Sequence, residues 1–187
     1  FYVGVGAGLT NYILPEILPA DSVVVKFITA VINMFVHMGF LFMNFLPVWF
    51  AVGIAFTLAK KEKGWAAFAG LIMFFTYIRG IGSYAGAWGV SADSILTMEP
   101  NFQALWGEVA GIFTLNMGIF SGIVAGVMAA WVHNRYIDTQ FKASFAFFSG
   151  PRFVIIMVTL FAVPLAIATY YIWPFIGRGL QWITNFI

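Results

Sequence analysis

From Phe27 to Ala59 the chain runs 33 residues without a formally charged side chain. A single α-helix needs about 20 apolar residues to cross a hydrocarbon core roughly 30 Å thick, so this stretch is too long for one span and too apolar for a water-facing surface. The rest of the sequence agrees. Hydrophobic residues make up 62% and charged residues 9%, with 22 Phe and 7 Trp among 187 residues, whereas a soluble domain carries about a quarter charged residues. The chain therefore belongs in a bilayer. A net charge of +2, with the cations scattered, gives no basis for nucleic-acid binding. Without cysteine there can be no disulfide, no thiolate metal site and no cysteine nucleophile.

The charges divide the sequence into an all-α, polytopic arrangement of about five transmembrane helices plus interfacial helices. Phe1 to Leu14 reads as the tail of a first span. The long uncharged stretch is expected to hold an interfacial or tilted helix near residues 23–36, then a span over 38–59 kinked at Pro47. Gly64 to Tyr84 is a third span, Val109 to Trp131 a fourth and Phe153 to Trp173 a fifth. Residues 86–107, rich in Gly, Trp and polar side chains, read as an external loop with a short interfacial helix. The chain opens at Phe1 inside an apolar run, without a signal peptide, and closes at Ile187 in mid-pattern. Both ends look cut, so 1–187 is expected to be a piece of a longer protein.

Loop charge orients the spans. Lys60, Lys61, Lys63, Arg135, Lys142 and Arg152 stand against Glu62 and Asp138, net +4, while the other side holds Glu16, Asp21, Asp93, Glu99 and Glu108 against Lys26, Arg79 and Arg178, net −2. By the positive-inside rule the basic loops 59–64 and 133–152 face the cytoplasm of a multi-pass plasma-membrane protein.

Gly118, Gly122, Gly126 and Ala130 recur every four residues. That spacing places them on one helix face, where another backbone can approach closely, and we expect this face to support helix packing and a homodimer. Gly107 and Gly111 extend the small-residue pattern. The two histidines, His37 and His133, fall at different depths, which argues against a bis-histidine haem site. Arg79, flanked by Tyr77, Gly80 and Ser83, reads as an interfacial anchor, and the many Trp and Tyr near span ends as aromatic belts. No phosphate-binding loop is present, no span core holds an Asp or Glu, and no catalytic, metal or cofactor constellation is visible.

Several segments together carry a resemblance: Asn44-Phe45-Leu46-Pro47-Val48-Trp49-Phe50 leading into Lys60-Lys61-Glu62-Lys63-Gly64-Trp65, then Asn116-Met117-Gly118, His133-Asn134-Arg135-Tyr136, and Phe145-Ala146-Phe147-Phe148-Ser149-Gly150-Pro151-Arg152-Phe153. In order and spacing they resemble the membrane-embedded enzyme IIC of the bacterial phosphoenolpyruvate-dependent sugar phosphotransferase system, in its glucose, maltose and α-glucoside branch. The resemblance implies a permease that phosphorylates its sugar as it moves it inward, with IIB and IIA domains as phosphoryl donors. It also implies that the first helices form a dimerising scaffold, while a second half holds the sugar through a Thr-Glu-Pro motif and a His-His motif. Neither motif occurs in 1–187. The segment is thus expected to be the N-terminal scaffold half, lacking the catalytic residues, with Lys60, Lys61, Lys63, Arg135, Lys142 and Arg152 offering a docking field to IIB. An ion- or solute-coupled secondary transporter and a non-transporting membrane anchor are the alternative readings.

Overall fold

The computed structural model describes residues 23–186, in two compact units that meet in sequence between Phe45 and Leu46. The expected first span over 1–14, together with Tyr12, Glu16 and Asp21, lies outside the described residues.

The first unit contains helix α1, Val23–Asn44, 22 residues with no buried side chain. It is long and apolar enough to cross a membrane. This corrects the boundaries expected from sequence, an interfacial helix ending near 36 followed by a span over 38–59. The physical reason is Pro47. It lacks the N–H that would bond the Met43 carbonyl, and its ring would clash there. The helical pattern therefore breaks at Phe45, and Pro47 falls in the first turn of α2, Leu46–Leu58, rather than kinking a longer helix.

The second unit is built around α3, Lys63–Ala87, which touches α2, a β-hairpin, α5 (Ile119–Tyr136) and α6 (Pro151–Phe186). A four-residue connection, Ala59 to Glu62, joins α2 to α3, with Glu62 in left-handed backbone (φ 45°, ψ 53°) at the α3 N-cap. The core combines small residues with a few large ones. Ala51, Ala55, Ala66, Ala69, Ala125 and Ala129 let helices approach, and Met73, Phe74, Tyr77, Ile78 and Ile81 of α3 fill what remains.

Those close approaches can be located. The Ala51 carbonyl of α2 sits between two glycines: a Cβ on Gly70 of α3 or on Gly126 of α5 would each lie 2.8 Å from its oxygen. A Cβ on Gly122 would overlap the Pro47 carbonyl. Without side chains at these three positions, α2 fits between α3 and α5 at backbone contact distance. About two turns further along α3, Tyr77 donates a hydrogen bond to Thr169 Oγ1 of α6 at 2.9 Å.

The expected fourth span also needs correction. Val109 does not begin a helix. Strands β1 (Trp106–Val109) and β2 (Ile112–Leu115) pair antiparallel, with Val109 opposite Ile112. Ala110 and Gly111 both have positive φ, 51° and 76°, the signature of a two-residue primed turn whose twist suits a hairpin. The helix starts only at Ile119. Gly107 and Gly111 accordingly belong to strand and turn, not to a helix face. Between α3 and the hairpin lie a 3-10 turn, Ser94–Thr97, and the short helix α4, Pro100–Gln103, so the stretch 86–107 holds a short helix.

The expected fifth span, 153–173, is part of the longer α6, which starts at Pro151 and passes through Pro164 and Pro174. Among the described residues, three helices are long and apolar enough to span a membrane: Val23–Asn44, Lys63–Ala87 and Pro151–Gly179.

Candidate functional site

The six basic residues singled out from sequence all lie in the second unit, exposed, around the N-terminal ends of α3 and α6 and the C-terminal end of α5. Two neighbouring side chains on α5 organise this rim. Asn134 Oδ1 accepts the Lys60 backbone N–H at 2.8 Å, and Asn134 Nδ2 donates to the Leu58 carbonyl at 3.0 Å. Leu58 is the last residue of α2, so its carbonyl has no partner within its own helix. One amide side chain thus closes α2 and holds the connection that follows.

His133, fully buried, adds a second tie. Its Nε2 lies 2.8 Å from the Lys61 carbonyl oxygen. A carbonyl only accepts, so Nε2 carries the hydrogen. Its Nδ1 is buried without a partner.

The charged side chains themselves are held more loosely. Lys61 Nζ reaches both carboxylate oxygens of Asp138, at 2.8 and 2.9 Å, with both groups well exposed. Arg152 donates to the Phe147 carbonyl at 3.0 Å and lies 4.1 Å from the Phe147 ring centroid. Lys63 lies 5.7 Å from the Phe56 ring centroid. Lys142 stands at the N-cap of a 3-10 helix, Ala143–Phe148. The loop behind it is drawn together by Gly150 N–H to the Thr139 carbonyl at 3.0 Å and Phe141 N–H to Ser149 Oγ at 2.9 Å. Arg135 is exposed in the last turn of α5. The structure thus joins Lys60 and Lys61 to the end of α5, while Lys142 and Arg152 flank the 3-10 helix.

Of the four small residues on α5, Gly122 and Gly126 face α2, and Ala130 is 2% exposed. Gly118 stands apart. It is the N-cap, with φ 53°, and a Cβ there would meet nothing within 4 Å.

His37 bonds the Asn33 carbonyl one turn earlier in its own helix, in the first unit. Arg79 is exposed and lines a small cleft of about 210 Å³ with Gly82, Ser83 and Ser91. Two tryptophans expected in the aromatic belts are instead buried, Trp106 at 7% and Trp173 at 9% exposure. Trp106 stacks on Phe113 with ring centroids 5.4 Å apart. Sequence reasoning weighed His133 only as a haem ligand, and noted Asn134 only as part of a resemblance. Polar residues at i and i+1, next to Arg135 at the end of an apolar helix, were the available signal for the clasp.

A bundle of apolar helices, joined through glycine-mediated backbone contacts and carrying a basic rim at one end, defines a polytopic helical membrane protein. The phosphotransferase system EIIC family model matches residues 3–187, and the chain belongs to that family, placing it among bacterial membrane proteins. It is 33% identical over 150 residues to a glucoside-specific EIICBA component of Staphylococcus carnosus, covering 76% of this chain and 21% of that protein. It is 27% identical over 149 residues to a maltose-specific EIICB component of Bacillus subtilis, covering 80% and 28%. To a maltose-specific EIICB component of Escherichia coli K12 it is 26% identical over 187 residues, covering 99% and 34%. The chain therefore spans about a fifth to a third of the length of these relatives.

Proposed function

We propose that the whole protein carries a sugar of the glucose, maltose or α-glucoside class across the bacterial plasma membrane and phosphorylates it in the same cycle, with IIB and IIA domains as phosphoryl donors. The observation that carries this reading is the family match over residues 3–187, joined by relatives whose names specify glucoside and maltose components. Residues 1–187 act in this reading as the scaffold half, and phosphoryl transfer itself uses residues outside them.

The scaffold role is supported by the contacts of α2 with Gly70, Gly122 and Gly126, which fix three helices at short distance. In the homodimer proposed here, the glycine face of α5 sets the α2–α5 pair, whose outer surfaces meet the second copy. The basic rim faces the cytoplasm and steers the phosphorylated, anionic IIB domain. Support comes from the exposure of all six cations and from the single carboxylate, Asp138, that pairs with one of them among the described residues.

The test is genetic. The full-length gene is expressed in a bacterium stripped of its own uptake systems for these sugars. Growth on one of them should be restored when the general phosphocarrier proteins are present and fail when they are deleted. Growth independent of the phosphocarriers would refute the reading.

A further inference from the structure

The end of the second unit opposite the basic rim carries an open cavity of about 690 Å³ between residues 97–105 and the last turns of α6. This is within the range of small-molecule sites, about 300–1,000 Å³. Glu99, Asn101, Phe102 and Leu105 form one wall, and Arg178 of α6 stands in the other.

The wall is built rather than loose. Gln103 Nε2 donates to the Met98 carbonyl at 2.7 Å and to the Leu96 carbonyl at 3.2 Å, stitching α4 to the preceding turn. The Glu99 carbonyl accepts the Phe102 and Gln103 N–H groups at 2.9 and 3.0 Å. The Leu105 carbonyl accepts Asn116 N–H at 2.8 Å, tying the segment to the chain just after β2. Gly177 gives Leu105 its seat on α6, since a Cβ there would come within 2.6 Å of Leu105 Cδ2. The backbone that carries Glu99 and Asn101 is thereby fixed, with Arg178 lining the same cavity from α6.

Their chemistry is selective. Glu99 offers only acceptors, Arg178 only donors, and Asn101 both. No ion pair joins Glu99 to Arg178, the ion pair among the described residues being Lys61 with Asp138. An anionic ligand would meet Glu99 and a cationic one Arg178. A neutral molecule with several hydroxyls can donate to the first and accept from the second. Phe102, half-buried and 6.1 Å from the Trp106 ring centroid, supplies a flat apolar surface for the C–H face of such a molecule.

We propose that this cavity is a reception site for the neutral sugar on the face opposite the basic rim, separate from the place where the sugar is phosphorylated. It rests on the permease reading given above. The sugar hydroxyls donate to Glu99 and accept from Arg178 in charge-assisted hydrogen bonds, Asn101 bridges them, and Phe102 takes the ring face. The site raises the local sugar concentration before translocation, so it acts on uptake at low sugar and not on the rate at saturation.

The test uses the full-length protein in proteoliposomes with the cytoplasmic phosphoryl donors enclosed. Glu99→Gln and Arg178→Gln are each expected to raise the KM for uptake on the order of tenfold, as loss of a charge-assisted bond implies, with kcat unchanged. Asp93→Asn, an exposed acid outside the cavity lining, should leave both constants alone. In parallel, Asn101→Cys is labelled from outside with a membrane-impermeant maleimide, and millimolar transported sugar should slow labelling while the corresponding sugar phosphate does not. Unchanged KM in both cavity variants, or a fall in kcat at constant KM, would overturn the proposal while normal phosphorylation at saturating sugar leaves the permease reading intact. If no variant and no wild-type protein phosphorylates sugar, the permease reading fails. Labelling at position 101 that sugar does not slow overturns the cavity proposal independently.

Discussion

Asn134 Oδ1 accepts the backbone N–H of Lys60 at 2.8 Å, across 74 positions of sequence. With the Leu58 carbonyl bonded to the same side chain, the end of α2 is closed by α5 rather than by its own following residues. The neighbouring Lys61–Asp138 pair looks stronger on paper, but both side chains are more than half exposed, and exposed pairs contribute only about 0–1 kcal/mol. Asn134→Ala should therefore lower unfolding free energy by about 1–3 kcal/mol, since it removes two hydrogen bonds worth about 0.5–1.5 kcal/mol each. Lys61→Ala should shift it by less than about 1 kcal/mol. Denaturant titration in mixed micelles compares the two, and equal effects would show that the amide does not close the helix.

The glycines differ from one another in ways that substitution can expose. Gly122 faces the Pro47 carbonyl, whereas Gly53, on the exposed side of α2, has nothing within 4 Å of a Cβ. Gly122→Ala should cost about 1–3 kcal/mol through overpacking against backbone. Gly53→Ala should be neutral or stabilise by about 0.5–1 kcal/mol through lower unfolded-state freedom. Thermal unfolding in detergent reads both, and a tolerated Gly122→Ala would deny the close α2–α5 contact.

Thr114, on β2, is fully buried and its hydroxyl has no hydrogen-bond partner. A buried unsatisfied hydroxyl costs about 1–3 kcal/mol, and valine has nearly the same shape with a better strand preference. Thr114→Val should raise stability by about 1 kcal/mol. A drop in melting temperature would show that the hydroxyl has a partner in the membrane-embedded protein.

How much of this was legible beforehand follows the range of the interactions. The apolar helices and the basic rim are written in hydropathy and charge, which act locally, and the glycine spacing on α5 marks the face that meets α2. The hairpin was not legible as such. Trp106–Leu115 is as apolar as a helix would be, and its turn uses Ala110 at φ 51°, where a paired Gly or Asn-Gly would have signalled a hairpin. Pro47 carried the information for the break at Phe45, but a kink and a break look alike in sequence. The cavity was out of reach entirely, because Glu99 and Arg178 line one space through tertiary contacts such as that of Leu105 with Gly177.

The proposed cytoplasmic side of the basic rim has a direct readout. Cysteines placed singly at Lys63 and Lys142 should label with an impermeant reagent only from inside, and labelling from outside would invert the topology. With Lys142 and Arg152 changed to Gln, uptake at limiting IIB should slow, more at low salt than at high, because exposed charges are screened over about 10 Å at 0.1 M. Unchanged uptake with normal insertion would remove the docking role and leave these cations as determinants of topology.

The central claim is that the family membership of this segment reflects uptake coupled to phosphorylation. Right-side-out vesicles carrying the full-length protein are loaded with phosphoenolpyruvate and the soluble phosphocarriers, then given labelled maltose, glucose or an α-glucoside outside. The account predicts that label accumulates inside as sugar phosphate at the rate of uptake, and that omitting phosphoenolpyruvate abolishes accumulation. Accumulation of free, unphosphorylated sugar driven by an ion gradient, with phosphoenolpyruvate making no difference, would contradict it.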